Sequence, residues 1–203
     1  MKQTYFITGI STDVGKTIAS AICVEALQAD YWKPIQAGEL ANSDTKKVQK
    51  LVSNKASKFH PGAFNLTAPM SPHAAAKIDD VVILSEKIKR PTTKNNLVIE
   101  GAGGLLVPLN DKETILDLIH PKDKVIVVSR HYLGSINHTL LTLEVLKQRN
   151  LKVHGIIFSG NKNEDTETII EQMSGIKILG RIDEEPYFDT SVIKEYAERL
   201  NIE

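Results

Sequence analysis

The chain predicts an α/β fold in which a mostly parallel central sheet is covered by helices on both faces, and two observations carry that reading. The first is a rhythm: short β-rich runs, several of them apolar without alternation as buried parallel strands are, take turns with helix-like patterns. The second is the stretch Thr8-Gly9-Ile10-Ser11-Thr12-Asp13-Val14-Gly15-Lys16-Thr17, set between the apolar run Tyr5-Phe6-Ile7 and a helix-like segment. A strand that turns through glycines into Gly-Lys-Thr and then a helix is a phosphate-binding loop, so the chain reads as a single-domain P-loop fold.

Taken in order, Thr4 to Thr8 reads as the first strand and Ile18 to Ala29 as the first helix. Asp44 to Lys55 has a second helical pattern. Phe59 to His73 holds three prolines and Gly62, which predicts a long loop over the sheet. Strands follow at Leu97 to Glu100 and Lys124 to Ser129, then a helix at Ile136 to Arg149. Val153 to Ser159 and Lys177 to Leu179 complete the strands, and Glu164 to Met173 and Ser191 to Leu200 the helices.

A chain of 203 residues suits one domain, taken as 1–203, with a substantial core. Twenty-five basic and 25 acidic residues balance without a long run of either sign, which points to a small-molecule partner and to neither nucleic acid nor membrane. Cys23 is the sole cysteine, which excludes an internal disulfide and a thiolate cluster; it is expected to pack on the first helix. The start lacks the apolar core of a signal peptide, so a cytoplasmic location is expected.

The loop's spelling follows from its chemistry. Gly15 lets the backbone approach a polyphosphate, amides at the helix start point at the anion, Lys16 supplies a charge for the β- and γ-phosphates, and Thr17 offers a hydroxyl to Mg²⁺. Five residues lie between Gly9 and Gly15, where the usual loop has four, and Ile10 stands where its first glycine would be. In parallel sheets ligands gather beyond the carboxyl ends of the strands. There, Glu100-Gly101-Ala102-Gly103-Gly104 offers a carboxylate followed by small residues, suited to holding Mg²⁺ beside a γ-phosphate. Ser129 to Asn137 joins a strand to a helix and offers amides for a second anion site.

Six separated motifs in order resemble the dethiobiotin synthetase family: Thr8 to Thr17, Lys33-Pro-Ile-Gln-Ala-Gly38, Asn42-Ser-Asp44, Ser71-Pro-His73, Val98-Ile-Glu-Gly-Ala-Gly-Gly104 and Leu133-Gly-Ser-Ile-Asn-His138. The family also shares the longer glycine spacing. The resemblance implies a homodimeric, ATP-dependent ligase acting on 7,8-diaminopelargonic acid and CO₂ with Mg²⁺. One amine captures CO₂ as a carbamate, the carbamate takes the γ-phosphoryl group, and the second amine closes the ring. It further implies Lys33, Lys16 and Thr12 as catalytic residues, and Thr17, Asp44 and Glu100 as the metal set. Asp13, Val14, Gly15, Lys16, Thr17, Ile18, Asp44, Glu100, Gly101, Ala102, Gly103, Ser159 and Gly160 are implied for the nucleotide. Thr12, Lys33, Ala37 and Gly103, with Leu133, Gly134, Ser135 and Asn137 of the neighbouring subunit, are implied for the diamine. Taken alone, Asp44 reads as a helix N-cap, Lys33 as a surface lysine and Ser135 as the cap of its helix.

Some positions depart from the family pattern. Asp13 stands where glutamate is frequent and Ala37 where a serine contacts substrate. Ser159-Gly160-Asn161 replaces an asparagine that reads adenine, and Gly180-Arg-Ile-Asp183 replaces Gly-x-Ile-Pro, so relaxed base selectivity is expected. Two rivals share the architecture. A cobyrinate-type amidating ligase carries a glutaminase domain with a cysteine nucleophile, for which this chain has only Cys23 and no room. A switch ATPase of the partitioning or metal-chaperone kind is the other; partitioning members carry an extra early lysine where Ile10 and Ser11 stand here.

Overall fold

A computed structural model describes residues 2–202. In chain order the elements are β1 Thr4–Gly9, α1 Lys16–Leu27, β2 Asp30–Trp32, β3 Ile35–Ala37, α2 Asp44–Leu51, β4 Phe59–His60, β5 Phe64–Leu66 and α3 Pro72–Ile78. They continue with β6 Leu97–Gly104, β7 Lys124–Arg130, α4 Ser135–Gln148, β8 Val153–Ser159, α5 Glu164–Ser174, β9 Ile178–Ile182 and α6 Thr190–Arg199. Seven strands form one parallel sheet in the order β4-β2-β6-β1-β7-β8-β9, and β3 and β5 pair separately, also in parallel. The α/β fold and the mostly parallel sheet are those the sequence predicts.

Alternation along β1 divides the core. Tyr5 and Ile7 face one apolar cluster with Ile22, Val24, Ile193 and Tyr196, where α1 and α6 pack. Phe6 faces the other with Ile99, Val127, Leu143, Phe158 and Ile170, where α4 and α5 pack. Apolar residues on both faces of each strand are what a sheet covered on both sides requires. Cys23 is fully buried in α1, and burial pushes its thiol up to about 12, so it packs as expected. Among the described residues no helix is long and apolar enough to cross a membrane.

Four short strands and one helix were not legible. Gln28, left-handed at φ 46°, ends α1 two residues earlier than Ala29, and β2 follows after one more residue. The stretch Phe59 to His73, expected as loop, contains β4, β5 and the start of α3. These strands are two or three residues long, too short to show a period. The second helix stops at Leu51 rather than Lys55. There the Glu25 carboxylate accepts hydrogen bonds from the amides of Ser53 at 2.7 Å and Asn54 at 3.1 Å, which draws the chain out of the helix. The glycine run after Glu100 stays in strand to Gly104, because Gly104 still pairs with Gly9 of β1.

Candidate active site

The phosphate loop forms where β1 ends at the centre of the sheet. Gly15 takes φ 94°, a left-handed conformation that glycine adopts without strain, and starts α1 with no side-chain cap. The first amides of α1 are therefore left to an anionic ligand. Lys16 folds back over the loop, its Nζ donating to the Ser11 carbonyl at 2.8 Å. Its pKa is lowered to about 8, chiefly by burial and further by the charge of Lys33, against the opposing pull of Glu100. A polyphosphate would restore the full charge.

Beside the loop lies a buried cluster of charge. Glu100, on β6 and 1% exposed, accepts from Tyr31 Oη at 2.9 Å, Thr17 Oγ1 at 3.1 Å and Lys33 Nζ at 2.9 Å. Lys33 directly follows β2, and its ammonium also reaches Asp44 Oδ2 at 2.7 Å. Burial alone would disfavour the Lys33 charge, but Glu100 and Asp44 outweigh it and hold its pKa above the ordinary lysine value. Asp44 is likewise held ionised: burial opposes its charge, and Lys33 and then Lys47 overcome that. Tyr31 is pushed well up, by burial and then by the charge of Glu100, so it stays a neutral donor.

Asp44 is not the N-cap. That role belongs to Ser43, whose side chain accepts from the Lys46 amide, while Asp44 is the first helical residue and its amide donates to Gln36 Oε1 at 3.1 Å. Lys33 is not a surface lysine either, at 5% exposure. Asp44 and Glu100 thus flank one ammonium and Thr17 joins them through its hydrogen bond to Glu100, and a hydroxyl with two carboxylates is a donor set that suits a hard divalent cation. Among the described residues no group of three or more His, Cys, Asp or Glu forms a further metal centre.

The cluster opens into a cleft of about 1540 Å³. Thr12, Asp13, Gly15, Lys16, Thr17, Ile18, Lys33, Ala37, Asp44, Glu100, Ala102, Gly103, Ser159 and Gly160, all anticipated, line it. That volume exceeds the usual 300–1,000 Å³ of a small-molecule pocket, leaving room for a nucleotide and a second ligand. Val14 lies in the core behind the loop, and Gly101 packs against Phe6 and Ile115. Leu133, Gly134, Ser135 and Asn137 do not line the cleft of their own chain. Leu133 is fully exposed at the start of α4, whose N-cap is Gly134 at φ 102°, with Ser135 buried as the first helical residue.

Several lining residues were missed. Gln36, Met70, Pro72 and Val107 join Ala37 and Ala102 on the β6 side of the loop, and Arg130, Ile182 to Glu185 and Phe188 join Ser159 and Gly160 on the other. Gln36 and Pro72 lay inside motifs already singled out on the sequence, as Arg130 lay inside Ser129 to Asn137, whereas Val107, Glu184, Glu185 and Phe188 had no such signal. Tyr31, which holds Glu100 from behind the cleft, stood only next to the Lys33 motif.

Comparison with known proteins agrees with this geometry. A family model described as an AAA domain matches residues 3–191. The chain is 62% identical over 200 residues to the ATP-dependent dethiobiotin synthetase BioD of Christiangramia forsetii, covering 98% of this chain and 97% of that one. It is 50% identical to the protein of the same name from Cytophaga hutchinsonii, covering 97% and 96%. Among solved structures, the septum site-determining protein MinD of Pyrococcus horikoshii, complexed with Mg-ADP, superposes with a TM-score of 0.64 at 16% identity, covering 98% and 96%. At that identity the likeness is one of fold. With near-complete coverage at 62% and 50% identity, the chain belongs to the ATP-dependent dethiobiotin synthetase family.

Proposed function

We propose that the chain is an ATP-dependent cyclo-ligase converting 7,8-diaminopelargonic acid and CO₂ to dethiobiotin, with release of ADP and phosphate. The observation that carries the reading is a buried lysine pair, Lys16 and Lys33, flanking a phosphate loop in a cleft with room for two ligands. In the proposed sequence one amine adds to CO₂ and loses a proton, giving a carbamate. The carbamate oxygen attacks the γ-phosphorus, and the bond to the β-phosphate oxygen breaks with ADP leaving. The second amine then attacks the carbonyl carbon, and phosphate departs as the ring closes.

Each intermediate is anionic, so fixed positive charge is the main aid the protein can give. Lys16 is assigned to the β- and γ-phosphates, Lys33 to the carbamate and transferring phosphoryl group, and Thr12 donates a hydrogen bond to the carbamate. Thr17, Asp44 and Glu100 would hold Mg²⁺, which when bound neutralises phosphate charge. Leu133 to Asn137 are assigned to the substrate carboxylate of a partner subunit's site, which suits their place outside their own cleft and the exposure of Leu133, Gly134 and Asn137. The proposed active unit is therefore a homodimer, and we place the reaction in the cytoplasm, where its ATP is.

The test is phosphate release from MgATP with and without the diamine and bicarbonate. Stimulation requiring both supports the ligase, and indifference to both indicates a switch ATPase. Sedimentation under assay conditions is expected to give a dimer; a fully active monomer contradicts the shared site.

A further inference from the structure

A buried carboxylate and a half-buried one on the same ammonium need a cation, and in this chain one is built in. The Lys33 ammonium stands 2.9 Å from Glu100 Oε1 and 2.7 Å from Asp44 Oδ2, and the same Glu100 oxygen takes the Thr17 hydroxyl at 3.1 Å. A divalent cation held by Thr17, Asp44 and Glu100 would use those same oxygens at about 2.0–2.1 Å, for Mg²⁺. An ammonium and a dication cannot both stand among them, because their charges repel strongly at such separations. We propose that Lys33 is the resident counter-cation of the Asp44–Glu100 pair and that a divalent cation exchanges with its ammonium there, releasing Lys33 towards the reacting phosphoryl group.

The local chain suits such an exchange. Lys33 directly follows β2, whose Tyr31 and Trp32 pair with Val98 and Ile99 of β6, and Pro34 fixes the backbone just beyond. The anchor is rigid while the four-carbon stem can turn, so the ammonium moves without the strand. Lys33 also lines the cleft that Lys16, Thr12 and Gly103 share, so the released charge has an open volume to enter. Exchange keeps both carboxylates compensated throughout, since each state supplies a cation. It also links two roles: the charge assigned to the transferring phosphoryl group becomes available when the metal is in place.

The proposal rests on the reading of Thr17, Asp44 and Glu100 as the metal set, and the experiment separates the two. Mn²⁺ is titrated into nucleotide-free protein and followed by its free-ion magnetic resonance signal. Lys33→Met, which keeps the stem and removes the charge, is expected to bind Mn²⁺ at least about tenfold more tightly than wild type, as removal of a nearby like charge requires. Glu100→Gln is expected to weaken binding in both backgrounds. Unchanged or weaker Mn²⁺ affinity in Lys33→Met, with Glu100→Gln still impaired, overturns the exchange and leaves the metal set standing. Indifference to Glu100→Gln removes the metal set and the exchange together. Should Lys33→Met fail to fold, the wild-type side-chain ammonium resonance decides. It should broaden through faster exchange with water on Mg²⁺ addition, and a resonance unmoved by bound Mg²⁺ overturns the proposal.

Discussion

Around Lys33, on the β2–β6 side of the phosphate loop, charges are withdrawn from water and bonded to one another behind an exposed Lys47–Glu39 pair at the rim, whereas on the β7–β9 side the charges of Arg130, Asp183 and Glu184 are themselves exposed. Lys33, Glu100 and Asp44 stand within 2.7 to 2.9 Å in one cluster, with Lys33 and Glu100 almost wholly withdrawn from water. Across β1, Arg130 reaches Glu184 at 3.2 Å with side chains 49% and 55% exposed, and Arg199 meets Asp183 at the same distance. Glu185 is held by the Tyr196 hydroxyl at 2.6 Å. A charge fixed in a dry site needs no reorganisation as transfer proceeds, while an exposed pair is screened and yields to whatever binds. The difference supports the proposed division, with chemistry on the first side and nucleotide contacts on the second.

The strongest way to break this division is on the buried side. Lys33→Ala is expected to lower turnover by about 10²- to 10³-fold, the usual cost of losing one oriented charge stabiliser, with nucleotide binding nearly intact. Comparing kcat with the nucleotide Kd of the variant checks it, and normal turnover would remove Lys33 from the mechanism. Glu100→Gln should weaken Mg²⁺ dependence and catalysis together, read from activity against Mg²⁺ concentration.

Asp30, at the far end of β2 from Lys33, sharpens the division by separating burial for chemistry from burial for the fold. It is 1% exposed and accepts from Thr93 Oγ1, Asn95 Nδ2, His60 Nε2 and the Lys58 amide. Burial pushes its pKa up, but those donors outweigh burial and hold it below the ordinary value. Its folded pKa lies below its unfolded one, so its stabilisation is present above the unfolded pKa of about 3.9 and is lost as pH falls through the folded value. Asp30→Asn is expected to cost about 1–3 kcal/mol at pH 7, to flatten the acid limb of stability against pH, and to leave kcat unchanged. Denaturant titrations at several pH values, beside assays, check this.

On the exposed side the expected effects are smaller. Ser159 and Gly160 offer a hydroxyl and backbone groups where the family pattern has an amide, and Asn161 does not line the cleft. Loss of two hydrogen bonds forfeits about 1–3 kcal/mol, so GTP or CTP should support ring closure within about five- to a hundred-fold of ATP. Values of kcat/KM measured side by side decide it, and a preference for ATP beyond about a thousand-fold defeats it. Smallest of all, Glu184→Gln removes an exposed pair and should change KM for ATP by less than about fivefold. A larger change would mean that this side carries chemistry after all.

What the sequence disclosed follows the same line. Thr17, Asp44 and Glu100 sit in dense local motifs, so they could be named before their convergence was visible, though Asp44 and Lys33 taken alone misled about capping and exposure. Arg130 and Ile182 reach the cleft from the ends of β7 and β9, and Glu184, Glu185 and Phe188 from the segment after β9, whose place depends on long-range packing and which no local spacing announces. Strands of two or three residues exist because a neighbour gives them a partner, β6 for β2 and β2 in turn for β4, not because their own residues enforce a period.

Strand β1 leaves the ribosome first among the strands, yet its neighbours are β6 and β7, which begin at Leu97 and Lys124. A nascent chain must therefore wait until Leu97 has emerged before the strand carrying the phosphate loop can pair. Glu100 arrives on the very strand that ends the wait. The first pairing of β1 and the charge cluster thus arrive together, with β7 closing the other flank later, and an earlier chain exposes unpaired apolar strand rather than a working nucleotide trap.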